Sequence, residues 1–205
     1  MITVGVHAQA ALQKGSANGH EWVDLGLSVK WATCNVGANS PEDYGGYYAW
    51  GETETKARYD WGNCFDCLDK TGEKWGIYKY KGGKTKITPD SRRDAARENW
   101  GGTWRMPTIK ELEELNDRCT WEWTEKNGIN GYVVTGPNGN SIFLPAAGYR
   151  SDASSYRVGE FGGYWSSTLS SSYSDLAQYL SFNSSNHKTV NSVRRYGFSV
   201  RPVTE

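Results

Sequence analysis

The alternation of large aromatic side chains with glycine constrains the fold of this chain more than any other feature. The chain has 205 residues with 10 Trp and 13 Tyr, and 24 glycines divide these aromatic residues into short segments. Each aromatic side chain buries roughly 150–250 Å², so a sizeable core can form although only 37% of the residues are hydrophobic. This spacing favours short strands and structured loops over long helices. It excludes disorder, since disordered chains are poor in aromatic residues and carry excess charge.

The balance of charged residues excludes two classes of partner. The chain has 23 Lys and Arg against 23 Asp and Glu, so its formal net charge is zero. Nucleic-acid-binding proteins usually present a basic face, and membrane-surface anchors carry polybasic segments. No apolar run reaches the roughly 18 residues that a transmembrane helix needs. We therefore expect no nucleic-acid partner and no insertion into a membrane.

The first 20 residues differ from the rest of the chain. Residues 1–20 contain no Phe, Trp or Tyr and no strand-like run, so we expect a disordered leader or tail. An A-x-A sequence at residues 8–10 resembles a signal-peptide cleavage site, but the apolar stretch before it is too short for a signal peptide. Residues 21–205 are expected to form a single domain. Within it, residues 52–86 are polar, glycine-bearing and rich in lysine, which predicts a long decorated loop.

Two helices are predicted in the middle of the chain. The first covers residues 91–100, with Asp90 as its N-cap and Gly101 as its stop signal. The second begins at a capping box, in which Thr108 and Glu111 satisfy each other's backbone N–H groups. This second helix places three apolar side chains on one face: Ile109, Leu112 and Leu115.

The remaining pattern predicts a mostly antiparallel sheet, so the predicted fold class is α+β. Residues 28–34 alternate polar and apolar side chains, as a half-buried strand does. Residues 132–135 and 141–144 flank Asn138-Gly139, which is a strong hairpin signal. Further strands are predicted over residues 163–168, 176–182 and 197–203.

The four cysteines leave more than one interpretation open. Cys64 and Cys67 have the spacing of a zinc knuckle or a redox pair, and a zinc site would need Cys34 and Cys119 to converge on them. A redox pair should open a helix, where the helix dipole lowers the thiol pKa, whereas this pair follows the loop-like residues 61–63. The structural alternative is buried thiols, or a disulfide in an exported protein.

Serine and tyrosine are concentrated in residues 166–192, where apolar residues interrupt them. Recognition surfaces of the antibody type use these two residues, because Tyr offers a large contact area at low entropic cost and Ser adapts its hydrogen bonds. The segment therefore has the composition of a recognition surface. The alternative is a solvated sheet edge with polar loops.

Five segments of the chain resemble a known family. They are residues 21–50 (with WVDLGLSVKWATCNVG at 22–37), 100–107 (WGGTWRMP), 119–123, 164–168 and 197–203 (GFSVRPV). From residue 21 to residue 203 the chain resembles the Fibrobacter succinogenes major paralogous domain family of Bacteroidetes. It is similar to the variable proteins that retroelements diversify. The resemblance implies a C-type lectin fold of the formylglycine-generating-enzyme type, with two helices packed on a mostly antiparallel sheet and long Gly-rich loops.

The resemblance also implies a ligand-binding protein whose diversified positions lie near the C-terminus. In the variable proteins, adenine-rich codons at these positions yield residues such as Asn, Ser, Tyr and Asp; Gln178 and Lys188 depart from this pattern. The matching ligand-binding positions are Ser170, Ser171, Ser172, Tyr173, Ser174, Asp175, Leu176, Tyr179, Ser181, Val190, Asn191, Ser192, Val193, Arg195 and Tyr196.

These positions are expected to form one solvent-exposed patch on two adjacent strands, joined by a turn near residues 183–187. Tyr and Arg dominate binding hot spots, so the expected anchors are Tyr173, Tyr179, Arg195 and Tyr196. The apolar residues between them are expected to face the core: Trp165, Ala177, Leu180, Phe182, Phe198 and Val200.

No catalytic activity, metal or cofactor is expected. Formylglycine-generating enzymes activate oxygen with a cysteine pair in the C-terminal part of the domain, and no cysteine follows Cys119. The Glu-Pro-Asn, Gln-Pro-Asp and Trp-Asn-Asp triplets, with which calcium-dependent lectins supply oxygen ligands, are missing too. Cys34 and Cys119 both lie in segments that resemble the family, so we expect them to be close together. In the same fold Arg201 is expected to be a buried, paired cation.

The resulting hypothesis is a monomeric recognition protein, diversified by a retroelement, that binds an unknown macromolecular ligand, either a protein or a glycan. It would be secreted, or displayed on a cell surface or a phage. The alternative is an undiversified surface adhesin or a carbohydrate-binding, lectin-like protein.

Overall fold

The computed structural model describes residues 13–64, 87, 92–173 and 175–205. Over these residues the protein is mostly β, with two short helices, α1 (Ala95–Trp100) and α2 (Ile109–Arg118). Neither helix is long and apolar enough to cross a membrane. The strands are β1 (Lys14–Ala17), β2 (His20–Val23), β3 (Lys30–Ala32), β4 (Thr120–Lys126), β5 (Ile129–Thr135), β6 (Ser141–Pro145), β7 (Tyr149–Ser151), β8 (Ser154–Tyr156), β9 (Phe161–Leu169), β10 (Leu176–Asn183), β11 (Asn186–Val193) and β12 (Val203–Thr204).

The strands form several antiparallel sheets. One sheet has the order β1-β2-β3-β12, so it joins strands from the beginning and the end of the chain. A second has the order β4-β5-β6, a third the order β11-β10-β9, and β7 and β8 form a hairpin. All of these strand pairs are antiparallel. At this level, two short helices with mostly antiparallel strands, the predicted architecture is confirmed.

Part of the predicted leader is regular structure, so the prediction of disorder is wrong for residues 14–20. They belong to the hairpin β1–β2, in which Asn18 and Gly19 make the turn with φ angles of 46° and 81°. Asn-Gly favours such left-handed turns in tight hairpins. His20 stacks on Trp100 of α1, with ring centroids 3.8 Å apart, and this contact ties the hairpin to the core. The rest of the predicted leader, residues 1–12, lies outside the described residues.

Helix α1 begins at Ala95, later than predicted, because Asp94 is its N-cap. The Asp94 carboxylate accepts hydrogen bonds from the backbone N–H of Arg97, at 2.9 Å, and of Met106, at 3.1 and 2.9 Å to its two oxygens. One side chain therefore both caps the helix and holds the segment that leads to α2. The predicted cap, Asp90, lies outside the described residues.

The other helix signals are confirmed. Helix α1 stops before Gly101, which has a φ of 64° that glycine tolerates best. Helix α2 begins at the predicted capping box: Thr108 Oγ1 accepts from the Glu111 N–H, and the Glu111 carboxylate accepts from the Thr108 N–H at 2.7 Å. The apolar face of α2 packs into the core through the three predicted residues Ile109, Leu112 and Leu115.

The burial of Asp94 leads to a testable pH dependence. Burial raises the pKa of its carboxyl from 3.8 to about 6. The folded state therefore favours the protonated form, so this contribution to stability is present below about pH 4 and is lost as the pH rises through 6. We expect the wild type to lose about 2–3 kcal/mol of unfolding free energy relative to Asp94→Asn between pH 4 and pH 7. Urea unfolding of both proteins measures this, and a pH-independent difference contradicts it.

The sheet β9–β11 separates two clusters of buried side chains. In β9, Trp165 belongs to one cluster and Tyr164 to the other; in β10, Tyr179 and Leu180 are divided in the same way. Because successive side chains of a strand point to opposite faces, both faces of this sheet are covered. We call the two groups the Trp165 cluster and the Leu180 cluster. All the core residues predicted along this part of the chain are buried: Trp165, Ala177, Leu180, Phe182, Phe198 and Val200.

Arg201 is buried, as predicted, with only 1% of its surface exposed. Its Nε donates to Asn35 Oδ1 at 2.9 Å, and its Nη1 donates to the carbonyls of Ala32 and Thr33 at 2.9 and 2.7 Å. Its Nη2 donates to the Phe143 carbonyl at 2.8 Å. The cation is thus satisfied by neutral oxygens, and it links the β3 region to β6.

The cysteines favour the structural alternative. Cys64 is disulfide-bonded, so it offers no thiolate to a zinc ion. Cys67 lies outside the described residues. Cys34 and Cys119 are free thiols, and burial raises the pKa of Cys119 to about 11. No disulfide therefore joins Cys34 to Cys119, and their closeness in the fold stays a prediction.

The predicted strands are confirmed in the middle of the chain and corrected near its ends. The hairpin β5–β6 and the strands β9 and β10 lie where they were predicted. The strand predicted over residues 28–34 is shorter, since only β3 (Lys30–Ala32) is regular. Residues 197–203 do not form a continuous strand. Phe198 and Ser199 make isolated bridges to Tyr48 and Tyr164, and Val203 pairs in β12. Residues of this segment pair with several different parts of the chain. Its apolar side chains are therefore buried without forming the single strand that their pattern predicted.

Candidate functional site

The two predicted ligand-binding stretches meet at one end of one sheet. β10 and β11 are paired along their length, with the turn between Asn183 and Asn186, as predicted. At the opposite end of this pair, Leu176 faces Val193. There the Arg194 N–H donates to the Asp175 carbonyl at 3.0 Å. The loop before β10 and the segment after β11 are therefore neighbours.

The predicted positions differ in burial. Ser171, Ser172, Tyr173 and Asn191 are exposed, while Asp175, Leu176, Ser181, Val190, Ser192, Val193, Arg195 and Tyr196 are half-buried. Ser170 and Tyr179 are buried, and Ser174 lies outside the described residues. We define the terminal patch as the accessible positions at the Leu176 end of the sheet: Ser171, Ser172, Tyr173, Asp175, Leu176, Asn191, Ser192, Val193, Arg195 and Tyr196.

Tyr179 is a core residue, so the prediction that it is an exposed anchor is wrong. Its surface is 9% exposed, and its ring centroid lies 4.6 Å from that of Phe198 and 5.7 Å from that of Trp165. Val190, its cross-strand partner, packs against the same cluster. Burial also raises the pKa of the Tyr179 hydroxyl. The prediction failed because it assumed one solvent face, whereas both faces of β10 are covered.

Ser170 shapes the loop that carries the exposed residues. Its Oγ accepts hydrogen bonds from the N–H groups of Ser172 and Tyr173, both at 3.3 Å, and its own N–H donates to the Leu176 carbonyl at 3.1 Å. The Leu176 N–H donates to the Tyr173 carbonyl at 3.2 Å. The loop is therefore closed on itself, and it presents Tyr173 with 64% of its surface exposed.

Arg195 and Tyr196 are held in place by their neighbours. Arg195 Nη1 donates to the Tyr59 carbonyl at 3.0 Å and to Ser151 Oγ at 3.1 Å. Its guanidinium carbon lies 4.7 Å from the ring centroid of Tyr196 and 5.7 Å from that of Trp61. Tyr196 packs against the Trp165 cluster. These two residues form a fixed base, in contrast to the exposed loop.

The sequence analysis missed three aromatic residues beside this base. Tyr149 lies 5.3 Å from Tyr196, and Tyr156 stacks on Tyr149 at 5.3 Å across the hairpin β7–β8. Trp61 belongs to the same group because the Arg195 guanidinium carbon lies 5.7 Å from its ring centroid. In the sequence, the only local sign of this contact is that Tyr149 and Tyr156 flank a short polar segment, as the partners in a hairpin do. Their meeting with Tyr196 depends on the backbone pairing of Arg150 with Gly197, which joins distant parts of the chain.

A cavity of about 540 Å³ is lined by residues 51–56, 62–64 and 92–93. Lys56 forms an ion pair with Glu52 at 2.6 Å in this lining. In the sequence, the lining residues Cys64 and Arg92 border segments that lie outside the described residues. Over the described part of the chain, no group of three or more His, Cys, Asp or Glu side chains is arranged to hold a metal ion.

Comparison with known proteins gives one match. Residues 105–203 are similar to the family described as Domain of unknown function (DUF8237). The match covers just under half of the 205 residues and spans α2, β4–β11 and both predicted stretches. Neither a curated protein nor a solved structure matches the chain. The match assigns neither an activity nor a ligand.

Proposed function

We propose that this protein is a recognition protein that binds a protein or glycan ligand through the terminal patch. The observation that carries the proposal is the register of β10 and β11, in which Leu176 lies opposite Val193. This register brings a stretch rich in Ser and Tyr, residues 170–181, to the same end of one sheet as residues 190–196, which include Asn191, Arg195 and Tyr196. Binding, rather than catalysis, is the activity that such a surface suits.

The terminal patch combines a fixed base with an adaptable tip. Arg195 and Tyr196 are held by packing and hydrogen bonds, whereas Ser171, Ser172 and Tyr173 lie on an exposed loop. Substitutions at exposed positions usually change stability by less than about 0.5 kcal/mol. The scaffold can therefore tolerate sequence variation at the tip, and we propose diversification by a retroelement as the source of these residues.

The proposal includes a C-type lectin fold and display outside the cell or on a phage. Three features support it. The first sheet joins strands from the two ends of the domain, and both helices precede the sheet that carries the patch. The described residues between β3 and α1 form isolated bridges and a short 3-10 turn, Trp61–Asn63, as long loops would. The disulfide at Cys64 suits an oxidising compartment.

The second candidate is an undiversified adhesin or lectin-like protein with the same surface. The exposed aromatic residue Tyr156 near the terminal patch favours a sugar-binding version of it. The DNA around the gene separates the two candidates. A near-copy of the 3′ end that differs only at adenines, beside a reverse-transcriptase gene, supports diversification, and its absence supports the adhesin.

The double variant Tyr173→Ala/Asn191→Ala tests the terminal patch. We expect about a tenfold or larger loss of affinity for ligands of the wild type identified on panels of purified glycans and proteins, since exposed Tyr residues often dominate binding. The melting temperature should shift by less than about 2 °C. The matched control is Glu122→Ala/Glu125→Ala, two exposed positions on β4, which is outside the sheet of β10 and β11. Equal losses in both double variants would contradict the proposal.

A further inference from the structure

Five neighbouring side chains form a continuous surface row, which we call the aromatic row: Trp61, Arg195, Tyr196, Tyr149 and Tyr156. The Arg195 guanidinium carbon bridges Trp61 and Tyr196, at 5.7 and 4.7 Å from their ring centroids. The Tyr149 ring follows at 5.3 Å from Tyr196, and the Tyr156 ring lies 5.3 Å further, with planes only 21° apart. Tyr156 therefore presents the outer face of a two-ring stack to solvent, with 43% of its surface exposed.

The aromatic row carries a positive charge that no carboxylate balances. Over the described part of the chain, Arg195 takes part in no ion pair, and both of its hydrogen bonds go to neutral oxygens through Nη1. Its Nη2 group is thus available to a ligand oxygen. The nearby carboxylates of Asp60 and Asp152 share one cation, Arg58, at 3.1 and 3.5 Å. Three arginines (Arg58, Arg150 and Arg195) against these two carboxylates leave a net charge of +1 here.

A second guanidinium lies beside the row. Arg150 exchanges two backbone hydrogen bonds with Gly197, the residue after Tyr196, at 2.9 and 3.0 Å. Its side chain lies over the Tyr59 ring and donates to the carbonyls of Ala57 and Ala153. Like Arg195, it makes no ion pair with a carboxylate of the described residues. Because neither arginine is in an ion pair with a described carboxylate, this net positive surface is complementary to an anionic partner.

We propose that the aromatic row, with Arg150, binds an acidic polysaccharide whose sugar rings carry carboxylates. The flat C–H face of a pyranose ring is apolar and packs against the outer face of Tyr156. A uronic acid carboxylate then pairs with Arg195, because guanidinium groups bind carboxylates through charge-assisted hydrogen bonds. Exposed hydroxyls of Ser154 and Ser155 on β8 lie next to Tyr156 in the chain and can bond sugar hydroxyls. An acidic peptide would use the charge but would not need the flat ring face.

This inference rests on the proposed recognition function and names its ligand class and an additional contact surface. The row extends beyond the positions implied by the family resemblance, since Trp61, Tyr149 and Tyr156 lie outside both predicted stretches. A variant at Tyr156 therefore tests the row, while the Tyr173 variant tests the terminal patch.

The experiment is calorimetric titration of the full chain with oligogalacturonate at low salt. We expect binding by the wild type, about a tenfold or larger loss in Tyr156→Ala and in Arg195→Gln, and near wild-type affinity in Tyr156→Phe. Arg157→Gln is the charge control, because it removes one exposed positive charge from the β8–β9 turn, where the guanidinium lies over the Phe161 ring and not over a ring of the row. It should change the affinity by less than about twofold. Melting temperatures show whether Arg195→Gln remains folded, and Tyr156→Ala carries the test if it does not.

Neutral dextran and polyglutamate distinguish the other ligand classes. The proposal requires that dextran does not bind and that polyglutamate binds more weakly than oligogalacturonate, without dependence on the Tyr156 ring. Absence of oligogalacturonate binding at about 1 mM would overturn the inference, and so would equal losses in Arg157→Gln and Arg195→Gln. If Tyr156→Ala leaves oligogalacturonate binding unchanged while Tyr173→Ala/Asn191→Ala abolishes binding of another ligand, the inference fails and the proposed function stands.

Discussion

Replacement of Arg201 by methionine is expected to lower the free energy of unfolding by about 3–5 kcal/mol. The guanidinium donates to Asn35 Oδ1 and to the carbonyls of Ala32, Thr33 and Phe143, all inside the fold. Methionine has a similar length but no donor, so these four oxygens would lose a hydrogen bond where water has little access. The cost comes from the oxygens left behind, since a buried acceptor without a partner retains the full penalty of desolvation.

Urea unfolding of Arg201→Met measures this loss, with Arg157→Met as the matched control. Arg157 is exposed, lies 3.9 Å from the Glu160 carboxylate and packs over the Phe161 ring, so the same change of residue type should cost less than about 1 kcal/mol there. Arg201→Lys keeps the charge but can serve fewer of the four oxygens, and we expect an intermediate stability. A loss below about 1 kcal/mol in Arg201→Met would show that water reaches these oxygens and that the side chain does not hold β3 to β6.

Tyr179→Ala should destabilise the protein by about 3–5 kcal/mol, whereas Tyr173→Ala should change its stability by less than about 0.5 kcal/mol. The ring of Tyr179 fills the space between Trp165, Phe198 and Val190 on one face of the sheet. Its removal leaves a cavity that neighbouring rings cannot fill without moving. Tyr173 has 64% of its surface exposed on a loop, so its removal leaves no cavity.

The two tyrosines form a natural pair for separating stability from recognition. Unfolding curves should show a large shift for Tyr179→Ala only, and ligand binding at a temperature where both variants are folded should be reduced by Tyr173→Ala. Tyr179→Phe keeps the ring and should retain most of the stability. If Tyr179→Ala unfolds at the same denaturant concentration as the wild type, the assignment of Tyr179 to the core is wrong.

Local sequence signals predicted the parts of the fold that depend on neighbouring residues. The capping box at Thr108 and Glu111 needs only one turn of helix, and the Asn138-Gly139 turn needs only two strands beside it. Both were therefore readable from short windows. Asn18-Gly19 carried the same turn signal near the N-terminus. That hairpin was not predicted because residues 14–17 contain no strand-like apolar run, and the hairpin is tied to the core by the stacking of His20 on Trp100.

The candidate site shows where such signals stop being sufficient. The sequence placed the two predicted ligand-binding stretches on adjacent strands with the correct turn, but it placed the core residue Tyr179 at the surface. Alternation along a strand separates its two faces without telling what covers each face. The helix cap shows the same limit: the N-cap of α1 is Asp94, whose carboxylate also accepts a hydrogen bond from the distant Met106 N–H.

The sequence by itself determined the α+β composition of elements, the hairpin β5–β6, the start of α2 and the pairing region of β10 and β11, because each depends on contacts between residues close in the chain. Only the tertiary structure decided that both faces of β10 are covered, that Arg201 bonds four distant oxygens, and that Trp61, Tyr149 and Tyr156 join Arg195 and Tyr196. These contacts join segments far apart in the chain. Their geometry depends on how the sheets and loops pack together, which no local pattern of residue types encodes.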